Sequence, residues 1–337
     1  THTLELSSAA SDVYKRQIRI HQTGGPEVLR WEQVDPGTPG PGQVLLRHTA
    51  VGLNFIDTYH RSGLYPLPEL PAVLGREGAG VVEATGDGVE DLQPGDRVAY
   101  PLHPGSYSEF KLIPAELLVP LPDDITDQQA AAVLLKGLTA HYLLRRIYPV
   151  GPEDTILVHA AAGGVGLIAC QWASHLGATV IGTVGNEEKA ELARANGCRH
   201  PVIYSRESFV DKVRKLTAGA GLPVVYDSVG KDTFEDSLDC LAPLGTLVSF
   251  GQSSGSVPPF DPGILAKKGS LFLTRPTLVH YIARREELLS AAGELFNLIG
   301  SGAVRIHIGQ TYPLEEAARA HADLEARKTS GSTVLIP

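Results

Sequence analysis

The chain has 337 residues, 43% hydrophobic and 20% charged, enough for two domains with cores of their own and too ordinary in composition for extensive disorder. With 29 Lys and Arg against 38 Asp and Glu, the formal charge is −9, which repels phosphate backbones and anionic lipid surfaces, so neither nucleic acid nor a membrane is an expected partner. No run reaches the roughly 18 apolar residues of a membrane-spanning helix, no apolar leader core marks the N-terminus, and three cysteines without CxxC spacing suit a reduced, cytoplasmic protein.

Residues 1–17 show no clean period, and the chain contains no Met; this stretch is read as a tail or tag outside the folded body. From residue 18 to about 135, short β-type runs at 44–48, 80–84 and 97–100 are separated by turn signals such as Pro39-Gly40-Pro41-Gly42 and Pro94-Gly95-Asp96. Such repetition predicts a compact β-rich domain. The texture changes near Thr126, and residues 127–148, rich in Ala and Leu, read as helical. Strands at 155–160, 179–184, 224–227 and 246–250 then alternate with helices at 164–176 and 187–195, which predicts a parallel sheet with right-handed crossovers. Helices follow over 284–299 and 314–327, and a last strand over 332–336 is placed to rejoin the first domain. Cys170 and His159 fall within these elements and are read as structural.

The strongest chemical signal is Ile156-Leu157-Val158-His159-Ala160-Ala161-Ala162-Gly163-Gly164-Val165-Gly166. An apolar strand runs into small residues and then a helix, the arrangement a pyrophosphate requires. Glycines admit close backbone approach, and the helix N-terminus offers unpaired N–H groups. Gly163, Gly164, Val165 and Gly166 are therefore candidate cofactor-binding residues. The second strand runs out at Gly182-Thr183-Val184-Gly185-Asn186, with no acid to bond a ribose 2′-hydroxyl. Lys189 follows within a helical turn, and Tyr204 lies beyond the next predicted strand. A missing carboxylate and a nearby cation favour NADPH over NADH, and add Gly185, Lys189 and Tyr204 to the candidates.

Six short segments have a familiar order and spacing: Gly24-Gly25-Pro26-Glu27-Val28-Leu29, Asn54-Phe55-Ile56-Asp57-Thr58-Tyr59, Leu135-Lys136-Gly137-Leu138-Thr139, residues 159–166, Val225-Tyr226-Asp227-Ser228-Val229-Gly230 and Ser249-Phe250-Gly251. Together they resemble the zinc-independent quinone oxidoreductases, relatives of zeta-crystallin in the medium-chain dehydrogenase/reductase superfamily, from about Ile18 to Pro337. The resemblance implies an α/β protein of two domains. A GroES-like β-rich catalytic domain would take residues 18–137 and 276–337, and a doubly wound Rossmann domain, binding NADPH, residues 138–275. Asn54 stands where zinc-dependent members carry a cysteine ligand, and Arg76 where they carry a histidine. A catalytic zinc needs three protein ligands in one place, so no metal is expected.

The resemblance implies hydride transfer from NADPH to a quinone in the cleft between the domains. Asn54, Tyr59 and Tyr65 are its candidate catalytic residues. It adds Asn54, Asp57, Thr139, Tyr142, Ser228, Phe250, Gly251 and Arg327 to the cofactor contacts, with Thr139 and Tyr142 opening the helix that leads into the nucleotide domain. Arg327 has Glu325 as an alternative partner. Reduction of an enone or 2-alkenal is the alternative activity, and a crystallin-like structural or RNA-binding role without significant turnover is the alternative of another class. A homodimer paired along the apolar run at residues 270–274 is expected by the same likeness.

Overall fold

The computed structural model describes residues 15–337. The long strand Gln43–Leu53 organises the first sheet: Val44, Leu46, His48 and Ala50 alternate inward, and residues 50–53 are then buried on both faces. The seven-stranded sheet runs Ile308–Pro313, Ser332–Ile336, Gln43–Leu53, Glu77–Thr85, Arg97–Pro101, Val119–Pro120, and Phe110–Pro114 pairs with the first half of Gln43–Leu53. Ser332–Ile336 is antiparallel to Gln43–Leu53, with Leu335 opposite Val51, so the end of the chain lies in the sheet built by its opening strands. A smaller sheet holds Arg30–Val34, Lys15–Ile20 and Ala72–Val73. Lys15 pairs with Val34 there, so residues 15–17, assigned above to a tail, form part of a strand. The remainder of that assignment lies outside the described residues.

The second sheet has six parallel strands in the order His200–Ile203, Thr179–Val184, Thr155–Val158, Leu222–Asp227, Leu241–Ser249, Phe272–Thr274. Leu157, Val180, Ile181, Val224 and Val225 have no exposure, as expected of strands covered on both faces. The chain builds first to one side of Thr155–Val158 and then to the other. The crevice at the carboxyl ends of Thr155–Val158 and Leu222–Asp227 is therefore the topological switch point where a doubly wound sheet binds its ligand.

The helix Asp127–His141 joins the two sheets. Thr126 caps it, accepting from the Gln129 N–H at 3.2 Å while the Gln129 side chain accepts from the Thr126 N–H at 2.9 Å. One face packs on Gln43–Leu53, Glu77–Thr85 and Arg97–Pro101, another on the helices Gly164–His175 and Arg285–Gly300. A single apolar cluster runs through it, from Ala50, Ala79 and Ala99 to Val158, Ile168 and Trp172. A π-helical stretch, Tyr142–Ile147, continues it. Thr139 and Tyr142 thus lie at the far end of this helix, a correction to the expectation that they open it. The predicted helix at 314–327 is also shorter, a 3-10 turn Leu314–Glu316 followed by Ala317–Glu325.

Where Glu77–Thr85 crosses Gln43–Leu53 the backbones come close. A Cβ on Gly80 would lie 2.0 Å from the Arg47 carbonyl oxygen, which cannot move aside as a flexible side chain would. Gly80→Ala should therefore destabilise the protein by about 1–3 kcal/mol. An unchanged urea midpoint would show that the sheet can open there.

Candidate active site

A cavity of about 1050 Å³ lies along the switch point and opens towards both sheets. Its middle is the loop after Thr155–Val158. Ala160 takes a positive φ of 53°, the Gly163 N–H returns to the Ala160 carbonyl at 2.9 Å, and the helix Gly164–His175 begins. A Cβ on Gly166 would meet the Ala160 oxygen at 2.2 Å, so only glycine lets the first turn sit down on the loop. Gly163, Gly164, Val165 and Gly166 all face the cavity, with the helix's first N–H groups and positive dipole end. The loop is braced from behind by the Gly331 N–H, which donates to the Ala162 carbonyl at 2.9 Å.

One end of the cavity is cationic. Thr179–Val184 gives way to Gly185, and Asn186 then caps Glu187–Ala195 by accepting from the Lys189 N–H at 2.9 Å. This cap aims Lys189 back over the strand end, where its Nζ donates to the Arg327 carbonyl at 2.7 Å. Arg327, at φ 58°, reaches the Tyr204 hydroxyl at 3.4 Å, and a Cβ on Gly185 would lie 3.1 Å from that hydroxyl. Burial holds the Lys189 ammonium below its usual pKa, and the Arg327 charge adds to this against the pull of Glu188. Two cations brought together over a glycine would gain from an anion between them. Glu325 is not the partner of Arg327: it is bidentate to Arg61 instead, at 3.0 and 2.7 Å.

The other end is built on the helix Phe55–Ser62. Asn54 caps it, its N–H donating to Asp57 Oδ2 at 2.9 Å. Tyr107 donates to the same oxygen at 3.1 Å, and a buried chain continues through His321, 2.9 Å from the Tyr107 hydroxyl, to Arg61 at 3.0 Å. Asp57 therefore departs from the expectation of a cofactor contact. It has no exposure, does not line the cavity, and turns back to fix Asn54. Its Oδ1 has no partner, and burial raises its pKa to about 7 in spite of the bonds from Asn54 and Tyr107 and the charges of Arg76 and Lys136. Asn54 does face the cavity, its Nδ2 donating to Glu77 Oε2 at 2.9 Å. Because a carboxylate only accepts, this bond fixes which way the amide is turned.

Tyr59 and Tyr65 meet edge to face, ring centres 5.2 Å apart, on the cavity wall. The Tyr59 oxygen accepts from the Gln252 N–H at 3.3 Å, and burial pushes its pKa up to about 12. The Tyr65 oxygen accepts from Arg275 Nη2 at 3.1 Å, while Arg275 Nη1 is anchored on the Ser249 and Gly251 carbonyls at 2.8 and 3.1 Å. Each hydroxyl oxygen is thus engaged by a group that can only donate, leaving both O–H protons available to a ligand. Thr139, Tyr142, Ser228, Phe250 and Gly251 line the wall between these tyrosines and the glycine loop. Tyr142 is stacked on Tyr281 at 4.5 Å. His159 is buried between Thr183 and Ser237, each 2.9 Å from a ring nitrogen, consistent with a structural role.

Arg275 and Lys136 belong to the same wall, with Glu77 buried behind it, and none of the three stood out as a site residue in the sequence. Lys136 lines the cavity and its Nζ donates to Glu77 Oε2 at 3.1 Å. The available signal was charge out of place: Lys136 in an Ala- and Leu-rich helix, Glu77 at the head of a Gly- and Val-rich strand, Arg275 directly after an apolar one. Arg76 is occupied by His60 Nε2 at 2.8 Å and the Leu102 carbonyl at 3.0 Å. Among the described residues, no three His, Cys, Asp or Glu side chains gather as a metal site would need.

Comparison with known proteins agrees with this architecture. Residues 164–296 match the family described as zinc-binding dehydrogenase, and residues 40–123 the alcohol dehydrogenase GroES-like domain. The chain is 56% identical over 323 residues to the quinone oxidoreductase of Pseudomonas aeruginosa, covering 96% of this chain and 99% of that protein. It is 49% identical over 328 residues to the 2-haloacrylate reductase of a Burkholderia species, covering 94% of this chain and 98% of that one. The crystal structure of Escherichia coli quinone oxidoreductase complexed with NADPH matches with a TM-score of 0.94 at 50% identity, covering 96% of this chain and 100% of that chain.

The raised pKa of Asp57 has a sign. The unfolded carboxyl ionises near 3.8 and the folded one near 7, so folding is progressively penalised as pH rises through that window. Asp57→Asn, which keeps an accepting oxygen for Asn54, should gain stability relative to the parent between pH 4 and pH 7, by about 4 kcal/mol at the upper end. Paired melts across that range check it; a stability difference independent of pH would mean the carboxyl is ionised throughout.

Proposed function

The chain belongs to the quinone oxidoreductases of the medium-chain dehydrogenase/reductase superfamily, and from that premise we propose that it transfers a hydride from NADPH to a quinone. The observation that carries the acceptor assignment is the pair of tyrosines whose oxygens are already engaged. The cavity suits the cofactor: a glycine cradle that a Cβ would fill at a helix N-terminus, and two cations with a hydroxyl where a 2′-phosphate would fall. Bound NADPH supplies the hydride.

The chain supplies the rest. Lys189, Tyr204 and Arg327 hold the 2′-phosphate, and the residues from Gly163 to Gly166, with Gly185 beside them, hold the pyrophosphate side. Thr139, Tyr142, Ser228, Phe250 and Gly251 wall the nicotinamide side, and Asn54 borders it. Tyr59 and Tyr65 donate to the oxygen of a flat acceptor, where negative charge arrives with the hydride, and the second proton of the hydroquinone comes from solvent. The donor set, Asn54 and Arg76 where thiolate and imidazole would be needed, supports a reaction without zinc. The division into a catalytic domain of residues 18–137 and 276–337 and a nucleotide domain of 138–275 is part of this reading.

Arg275 favours a second substrate class. Its guanidinium on the acceptor wall suits a carboxylate beside a conjugated double bond, and a close relative is named 2-haloacrylate reductase. Two copies are inferred to pair along the edge strand Phe272–Thr274, where Phe272 is 60% exposed and Leu244 nearby 66%. No helix among the described residues is long and apolar enough to cross a membrane, and the three cysteines are free and buried, which supports a cytoplasmic setting.

Loss of NADPH absorbance should depend on added benzoquinone, proceed with EDTA present, and be much slower with NADH. Tight NADPH binding without quinone-dependent oxidation would overturn the quinone reading and leave an enone substrate or a binding role. Tyr65→Phe should lower kcat about 100-fold with little change in NADPH affinity; an unchanged kcat would remove the hydroxyl from the reaction.

A further inference from the structure

The cavity has an internal order. Lys189, Tyr204 and Arg327 mark one end, the first turn of Gly164–His175 the middle, and Asn54 with the tyrosines the other end. Lys136 lies between the middle and the far end. Its stem runs against the glycine loop, because a Cβ on Gly164 would come within 2.7 Å of Lys136 Cδ and 2.9 Å of Cε. Its ammonium reaches Glu77 Oε2 at 3.1 Å, the same oxygen that accepts Asn54 Nδ2 at 2.9 Å.

Glu77 has no exposure and grips this region from behind. Its Oε1 accepts the Leu135 N–H at 2.6 Å, one residue before Lys136 in the helix Asp127–His141. An ammonium carries three protons, and the bond to Glu77 engages one. The others belong to a buried cation on a cavity wall. Burying an ion pair is a poor way to gain stability compared with apolar packing, so its retention beside a ligand cavity calls for a ligand.

In a dinucleotide the group between the pyrophosphate and the nicotinamide is a ribose, a flat cluster of hydroxyl acceptors. Resting on the NADPH reading above, we propose that Lys136 donates to the hydroxyls of the nicotinamide-side ribose, and that Glu77 is the residue that positions both Lys136 and the Asn54 amide. Glu77 does not line the cavity and acts only through these two side chains.

Two fragments of the cofactor separate this role from a structural one. Adenosine 2′-phosphate 5′-diphosphate carries the pyrophosphate but no second ribose; 2′-phospho-ADP-ribose adds that ribose and lacks only nicotinamide. Calorimetric titration of Lys136→Met should show binding of 2′-phospho-ADP-ribose weakened about tenfold, the scale of one charge-assisted hydrogen bond, with the ribose-free fragment bound as by the parent. Glu77→Gln should show the same selective loss. Equal weakening of both fragments would overturn the proposal in favour of a phosphate contact or a collapsed cavity, and no weakening of either would reduce the pair to a structural one. If Lys136→Met does not fold, the double variant Lys136→Met with Glu77→Gln, which leaves no lone buried carboxylate, takes its place. A parent protein that binds neither fragment would sink the NADPH reading, and this inference with it.

Discussion

A carboxylate without access to water sits where the strand Glu77–Thr85 begins, and much of the site is arranged around it. Glu77 accepts from the Asn54 amide, the Lys136 ammonium and the Leu135 N–H. These three donors come from the cap of one helix and the interior of another, so the carboxylate ties together elements the sheet alone would not align. Three accepted bonds, one on Oε1 and two on Oε2, are what make burial tolerable, since an unpaired charge there would cost several kcal/mol. Gly52 across the strand pair is part of the arrangement, because a Cβ there would lie 2.5 Å from Glu77 Oε2.

Around this centre the fold solves a placement problem. The residues proposed for the acceptor are carried mainly by the helix Phe55–Ser62, which follows the first sheet's long strand, and the glycine loop follows a strand of the second sheet, so the two must hold one geometry. The helix Asp127–His141 does this by packing on the first sheet and on the helix Gly164–His175 that follows the glycine loop, with an apolar cluster that passes through it. The end of the chain adds a second tie. His321 and Glu325, on the helix Ala317–Glu325, hold Arg61 of the acceptor helix, and Gly331 and Arg327 a few residues later reach the glycine loop and Lys189. One C-terminal segment thus touches both halves of the cavity, and Ser332–Ile336 then anchors it in the first sheet.

What the sequence made legible was local. The glycine loop, the missing acid after Thr179–Val184 and the alternation of strands and helices can be read in order because each depends on neighbours in the chain. The return of the last strand was legible too, since a lone alternating run after the parallel sheet has few places to go. Lys136, Glu77 and Arg275 were not legible as a site, because their meaning lies in partners 59 residues away for the first two and 210 away for Arg275 and Tyr65. Asp57 failed in the opposite way. Its neighbours in the motif face the cavity, but the third position of a capped helix turns its carboxylate back to the cap, and that preference outweighed adjacency. Residues 15–17 were missed because a strand of only six residues carries almost no periodic signal of its own.

The acceptor end also has a direction built into its hydrogen bonds. Tyr59 and Tyr65 have their O–H protons left to donate, because a backbone N–H and a guanidinium already give one bond to each oxygen. The two carboxylates nearest Asn54 are not free bases: Glu77 accepts from three donors, and Asp57 is turned away from the cavity, its Oδ2 accepting from the Asn54 N–H and the Tyr107 hydroxyl. His60, its pKa lowered to about 4 by burial and by Arg76, is bonded to that same arginine. A wall whose tyrosines can donate hydrogen bonds, while the carboxylates beside Asn54 are already bonded, stabilises charge arriving on a ligand oxygen. It gives little help to a ligand that must lose a proton first. That asymmetry favours reduction of a conjugated acceptor over oxidation of an alcohol, and it follows from which atoms are already bonded.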